Sequence, residues 1–247
     1  NNLIVAPAPH VQTAQSTTRI MRDVVIALMP ALVVSTVVFG LDVLRVTALS
    51  VVSCVVIEYL IQKFMVRGAT TVGNWSAVVT GVLLAFNLPA SIPWWIVVMG
   101  AFVAIAVAKM TFGGLGKNFL NPALAGRAAL VACYASAMTS WSKVDAATGA
   151  TPMALLKAGD MEALTAAYPI KDMAIGFISG SAGEVSALML LIGGVYLIVR
   201  KVISWQTPVA YIATVAVVTF LFPRGNDPMT FMLYNVLGGG LFLGAFF

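Results

Sequence analysis

Of the 247 residues, 60% are hydrophobic and only 9% are charged, with a mean hydropathy of +0.98. Soluble globular domains carry about 25% charge, so this composition excludes that class and points to an all-α, polytopic membrane protein. The net charge of +5 includes no basic run and no aromatic-interleaved basic patch, and two cysteines (Cys54, Cys133) with one histidine (His10) cannot supply an iron–sulfur or multi-histidine site alone. Nucleic-acid binding and self-contained metal chemistry are therefore not expected.

In chain order, residues 1–22 form a polar, Ser/Thr-rich arm ending in Arg19 and Arg22, expected to lie on a membrane surface. It contains His10, flanked by Pro, as a solvated or interface residue. No signal-peptide pattern is present, and residues 23–247 form the membrane domain. A first apolar helix is expected over Val24–Phe39, closed by Gly40, and a second over Val43–Ile61. The second carries Glu58 close to Gln62 and Lys63, where pairing or snorkelling near the interface is the simplest reading and a buried ion-path carboxylate the sharper one. The next apolar block, Ser76 to Leu88, stops at Pro89 and is too short to cross about 30 Å as one helix. It predicts a half-helix or re-entrant segment, tolerated at membrane depth only where protein or a cavity covers it. Thr80, Gly81 and Asn87 are its polar and small groups. Glu58, Thr80 and Asn87 are thus candidates for an ion path.

Trp94 and Trp95 read as an interfacial belt opening a helix to about Ala108. Phe112-Gly-Gly-Leu-Gly-Lys-Asn-Phe-Leu-Asn-Pro122 lacks the Ser or Thr that follows Lys in a phosphate-binding loop. It reads as a tight turn or as a loop contacting a cofactor or partner. A helix over Ala123 to about Ser140 carries Arg127, able to reach the interface or an anionic group.

Residues 141–173 form the longest polar connection and hold Asp145-Ala-Ala-Thr148-Gly149-Ala150-Thr151-Pro152. Pro152 to Ala158 reads as a short helix with Pro in its first turn and Gly159 just past its end. Thr151 is its candidate N-cap, facing orphan amides and the positive end of the helix dipole, a setting that also suits phosphate. Gly180 and Gly183 permit close packing or a second broken helix before Val185–Val199, with Glu184 near that helix's start. Spans over Thr207–Phe222 and Met229–Phe247 follow, giving about eight apolar segments in all. The stop at Phe247 inside an apolar run implies further helices. Thr80-Gly-Val-Leu-Leu-Ala-Phe86 and Gly239-Gly-Leu-Phe-Leu-Gly-Ala245 align in pattern, as an inverted repeat requires.

Counting the short block as a crossing, the connections on the N-terminal side hold eight basic residues: Arg19, Arg22, Lys63, Arg67, Lys109, Lys117, Arg200 and Lys201. The other side holds five: Arg45, Lys143, Lys157, Lys171 and Arg224. The positive-inside rule then makes the N-terminus cytoplasmic and the Thr151 loop external.

The segment Asp145 to Thr151 resembles the flavinylation signature D-x-x-[S/T]-G-A-T, whose last Thr is esterified to the phosphate of FMN by a flavin transferase. Ala8-Pro-His10, Ser16-Thr-Thr-Arg-Ile-Met21, Ser76 to Ala85, Phe112 to Asn118, Asn121-Pro-Ala123 and Gly183-Glu-Val-Ser186 are similar, in order, to the D subunit of the Rnf complex. Several are shared with the B subunit of the sodium-pumping NADH:quinone reductase. The resemblance implies a membrane subunit of a ferredoxin:NAD+ oxidoreductase coupled to Na+ or H+ movement, in a bacterial or archaeal cytoplasmic membrane. It also implies partner subunits of the same complex, covalent FMN on Thr151, and Asp145, Thr148, Gly149 and Ala150 as the recognition loop for the transferase. A second, non-covalent flavin such as riboflavin, and a urea-transporter-like fold of two inverted repeats with half-helices, are implied as well. The alternatives are a urea-transporter-like solute channel without a redox role and a structural scaffold for other subunits.

Overall fold

The computed structural model describes residues 16–67, 70–141, 151–159, 161–184, 186–223, 227–238 and 240–247. Among them the secondary structure is helical throughout, without strands. Helix α1 spans Thr17–Phe39, and α2 spans Asp42–Leu60 and continues as a π-helical stretch over Ile61–Val66. The half-helix α3 spans Ser76–Phe86, and α4 spans Trp94–Phe102 and continues as π-helix over Val103–Met110. Then follow α5 (Pro122–Cys133), α6 (Ala135–Thr139) and three short helices, α7 (Pro152–Ala158), α8 (Met161–Ala167) and α9 (Ile170–Ile175). The second half holds α10 (Ala187–Val199), α11 (Gln206–Leu221), α12 (Pro228–Leu237) and α13 (Leu241–Phe246).

Helices Thr17–Phe39 and Asp42–Val66 are long and apolar enough to cross a membrane, and only 33% of each apolar window is buried inside the chain. The remaining apolar faces need a non-aqueous neighbour, and the shorter apolar helices add to an architecture that fits a membrane protein.

Helix α1 begins at Thr17 instead of Val24. Ser16 caps it by accepting from Arg19 N at 3.3 Å, and the buried Asp23 is matched by Arg200 at the end of α10 at 3.2 Å and by the Tyr196 hydroxyl at 3.3 Å. The polar residues after Ser16 are thus helix, not surface arm. The α1 and α10 backbones cross closely at Gly193, where a Cβ would lie 2.1 Å from Ala27 O. The expected helix over Ala123–Ser140 breaks at Tyr134, whose ring meets Trp95 edge-on at 5.1 Å, and the run Met229–Phe247 breaks into α12 and α13.

Half-helix α3 is buried along almost its whole length, as a segment too short to span must be. Gly81 lets it lie against α2, where a Cβ would sit 2.6 Å from Val51 Cα, and Ser50 Oγ donates to Gly81 O at 2.8 Å. Past its end, Phe86 O accepts from Gly183 N at 2.8 Å, and Ser35 Oγ lies 2.7 Å from Ala182 O. The non-helical stretch before α10 is therefore tied to α3 and α1 by hydrogen bonds. A second apolar cluster joins Leu156, Leu164, Tyr168, Met173 and Ile178 to Phe231 and Tyr234, which docks α7–α9 on α12.

Candidate functional site

Thr151 has the position its sequence context predicts. It is the N-cap of α7 in extended conformation, and its Oγ1 accepts from Ala154 N at 3.2 Å. Pro152 occupies the first turn, and Gly159 closes the helix at φ 79°, where a left-handed backbone favours glycine. Thr151 is half-buried, so its hydroxyl keeps a face open to a reaction partner, while Pro152 and Leu156 anchor the helix beneath it. Asp145, Thr148, Gly149 and Ala150 lie outside the described residues.

The ion-path candidates fall into two separate places at opposite ends of α3. At its start, Glu58 is 1% exposed, and the Lys109 ammonium lies 2.5 Å from Glu58 Oε2 and 2.7 Å from Ser76 Oγ. Gln62 Nε2 donates to Glu58 Oε1 at 3.2 Å and to Thr71 Oγ1 at 2.6 Å, while Thr71 N donates to Gln62 Oε1 at 2.8 Å. Of the two simple readings of Glu58, pairing holds and snorkelling does not: the carboxylate is buried between α2, α3 and α4, with Gln62 as one neighbour and Lys109, not Lys63, as its counter-charge. Lys109, counted by sequence as a loop cation, supplies its charge. Lys63 instead packs over the rings of Tyr59 and Phe64. Thr80 donates to Ser76 O within its own helix at 2.9 Å.

At the far end of α3, about 16 Å away for an eleven-residue helix, Asn87 accepts from Arg127 NH1 at 2.7 Å and donates to Leu83 O at 2.7 Å. Asn87 and Arg127 line a cavity of about 300 Å³ together with Asn121, Ser181 and Glu184 and with the α13 residues Leu243 and Gly244. Glu184 thus faces this cavity instead of capping α10, whose cap is Ser186, accepting from Met189 N at 3.3 Å. Lys109, Ser76 and the Arg127–Glu184 cavity were not legible in advance. The available signal was a lone Lys inside the final turns of an apolar helix.

A larger, open cavity of about 530 Å³ is walled by Thr17, Gln62, Thr71, Asn74, Met110 and Gly113. It brings the start of α1 and the ends of α2 and α4 to one end of the fold, where Arg22 stacks over Trp75 and Arg200 meets Asp23. Among the described residues no group of three or more His, Cys, Asp or Glu side chains is placed to hold a metal ion.

The pattern that defines the NQR2, RnfD, RnfE family matches residues 4–247. The chain is 49% identical over 249 residues to the D subunit of the Na+-translocating ferredoxin:NAD+ oxidoreductase complex of Acetobacterium woodii, covering all of this chain and 76% of that protein. It is 40% identical to the D subunit of the proton-translocating ferredoxin:NAD+ oxidoreductase complex of Clostridium ljungdahlii, covering all of this chain and 78% of that one. It is 33% identical to the D subunit of the ion-translocating oxidoreductase complex of Halorhodospira halophila, covering 97% of this chain and 76% of that one.

Proposed function

The chain belongs to the NQR2, RnfD, RnfE family, and from that premise we propose that it is a membrane subunit of an ion-translocating ferredoxin:NAD+ oxidoreductase complex carrying FMN as a phosphoester on Thr151. The carrying observation is Thr151 itself: a half-exposed hydroxyl at the head of α7, bonded to Ala154 N. The small residues Gly149 and Ala150 before it suit entry into a transferase active site. The residues present fit the group, because the α7 dipole favours a phosphoester's charge there, and Ala154 N, now bonded to the Thr151 hydroxyl, could turn to a phosphate oxygen on the same side chain. FMN so held would accept and donate one or two electrons, and the chain supplies its placement.

The same reading puts the protein in a bacterial or archaeal cytoplasmic membrane with the other subunits of the complex around it. Arg22, Arg200 and the termini of α1, α2 and α4 share one end of the fold, which the positive-inside rule makes cytoplasmic. The chain enters the Thr151 region from the end of α6, beyond Tyr134 and Trp95 at the opposite end, supporting an external FMN loop. A urea-transporter-like inverted repeat is supported by the antiparallel α1/α10 crossing and by two short helices, α3 and α13. Each of these two starts after a left-handed residue, Trp75 at φ 68° and Gly240 at φ 69°. The cavity between α3 and α13 offers room and polar edges for a second, non-covalent flavin such as riboflavin.

The test is co-expression of the chain with a flavin transferase, followed by denaturing electrophoresis under ultraviolet light. A fluorescent band is expected for the wild type and none for Thr151→Val. A dark wild-type band, or a fluorescent Thr151→Val band, refutes covalent attachment at this residue.

A further inference from the structure

Among the described residues, no carboxylate lines the open cavity of about 530 Å³ at the basic end of the fold. Its polar side is built on Gln62, Thr71 and Asn74, and Val66, Met110 and Leu115 give it an apolar wall. The accepting atoms of that polar side are already engaged within the chain. Thr71 Oγ1 accepts from Gln62 Nε2 at 2.6 Å, and Asn74 Oδ1 accepts from Ser76 N at 2.9 Å. Gln62 Oε1 accepts from Thr71 N, and its Nε2 also donates to Glu58 Oε1. What remains for a ligand is mainly donor capacity, the Thr71 hydroxyl hydrogen and the Asn74 NH2.

Two cations stand at the rim. Lys117 folds back over the lining residue Gly113, with Cδ and Nζ 3.1 and 3.9 Å from where a Cβ would stand. Arg67 directly follows Val66, exposed and in left-handed backbone at φ 52°. Neither takes part in the two ion pairs among the described residues, Glu58–Lys109 and Asp23–Arg200, which engage the carboxylates of this end. Donors beside unpaired cations select an anion rich in acceptor oxygens, which is the chemistry of a phosphate group. A zwitterionic headgroup would bring an ammonium that finds no carboxylate in the lining.

The apolar edge decides the source of that phosphate. Val66 and Leu115 are exposed, as are the adjoining Met65 and Phe112. The cavity opens between the start of α1 and the end of the Asp42–Val66 helix, the two helices long and apolar enough to cross a membrane. A free anion leaves this apolar surface in water, whereas a phospholipid covers it with its acyl chains. Basic pockets between membrane helices suit anionic headgroups in the same way. We propose that the cavity binds the headgroup of an anionic phospholipid. Lys117 and Arg67 neutralise its phosphodiester, Thr71 and Asn74 donate to its oxygens, and its chains lie over Val66 and Leu115. A lipid held there ties the start of α1 to the ends of α2 and α4.

The experiment uses the whole purified complex, delipidated in detergent and titrated with dioleoyl phosphatidylglycerol or dioleoyl phosphatidylcholine at constant ionic strength. Retained lipid is counted by native mass spectrometry, and the midpoint of thermal unfolding reports stabilisation. Phosphatidylglycerol is expected to bind and raise the midpoint, and phosphatidylcholine to do neither at the same concentration. Arg67→Gln/Lys117→Gln should weaken phosphatidylglycerol binding by about tenfold or more. Asn74→Asp keeps an acceptor for Ser76 N but replaces the donating NH2 with a negative charge, and should weaken binding as well. Arg67→Lys/Lys117→Arg keeps both charges, guards against a folding defect, and should bind as the wild type does. Lys63→Gln removes a cation whose ammonium lies over Tyr59 and Phe64, not in the cavity, and should stay within about twofold of the wild type. Equal retention by the wild type and Arg67→Gln/Lys117→Gln overturns the proposal. So does an equal loss in Lys63→Gln, which would mean diffuse attraction, or equal binding of phosphatidylcholine. Inorganic phosphate that stabilises the complex as well as the lipid does would make this a site for a free anion and overturn the lipid assignment. Neither readout depends on flavin at Thr151.

Discussion

Thr151 is the cap of α7 and, in the proposed function, the flavin acceptor; one substitution would confuse the two, and N-cap chemistry separates them. Its hydroxyl accepts from Ala154 N at 3.2 Å, and it is the side-chain cap of a seven-residue helix. Removing such a cap costs about 1 kcal/mol. The rest of α7 is held independently, because Leu156 is 2% exposed within the cluster that includes Met173 and Tyr234. Loss of the cap should therefore fray the first turn without unfolding the protein. Thr151→Val removes both cap and ester acceptor, so a missing flavin in that variant could reflect a frayed substrate loop. Asn caps at least as well as Thr but offers no hydroxyl, and Ser offers both. We expect Thr151→Asn to match the wild type in thermal unfolding yet give no fluorescent band, and Thr151→Ser to match it in both respects. Fluorescent Thr151→Asn would refute attachment at residue 151. Dark, unfolded Thr151→Asn would show that the cap, not the hydroxyl's chemistry, is what the transferase needs.

Other expectations concern the scaffold. Gly193→Ala places a Cβ 2.1 Å from Ala27 O, a backbone atom that cannot yield alone, so α1 and α10 must separate. A loss of about 1–3 kcal/mol is expected by thermal or denaturant unfolding, whereas Gly73→Ala, with nothing within 4 Å, should be near neutral. Lys109→Met leaves Glu58 buried without its partner and should cost about 3–5 kcal/mol, most of it recovered in Glu58→Gln/Lys109→Met. A double variant as unstable as Lys109→Met would show that packing, not charge, dominates there. At the start of α12 the Thr230 hydroxyl, then the Met229 and Thr230 amides, hold the Asp227 carboxyl below the usual carboxylate range. Its cap is complete above the unfolded value of about 3.9 and is lost as pH falls through the lower folded value. Hydrogen exchange at Met229 should accelerate in acid, relative to the intrinsic rate, and Asp227→Asn should remove that dependence.

Sequence disclosed what local rules decide. Thr151, Pro152 and Gly159 are adjacent cap signals and recur as α7, and the Ser76–Phe86 half-helix follows from a length that cannot span a bilayer. What stayed hidden depends on distant partners. The polar run ending at Arg22 read as an arm, so the helix before Val24 was hidden, and the charge that answers Asp23 within it, Arg200, lies at the end of α10. Tyr134 interrupts α5 without Pro or Gly, and its ring packs on Trp95 from another helix. Lys109 looked like a loop cation because one-dimensional charge counting treats every Lys near a helix end as solvated. Its carboxylate lies 51 residues earlier in the chain.

These hidden contacts share a physical origin. A backbone that leaves the helix inside an apolar layer must still satisfy its amides and carbonyls, and here two such stretches find partners elsewhere in the fold. The end of α3 is answered by Gly183 N, and the stretch before α10 by Ser35 of α1. The two irregular segments are therefore not independent loops but one mutually supported unit. Asn87 on one and Ser181 and Glu184 on the other consequently reach a single cavity. The Glu58–Lys109 pair sits at the opposite end of the same half-helix, bonded to its first residue, Ser76. Movement of α3 along its axis would then alter the ion pair and the cavity together, giving the fold a direct mechanical route between the open mouth beside Gln62 and the space between α3 and α13.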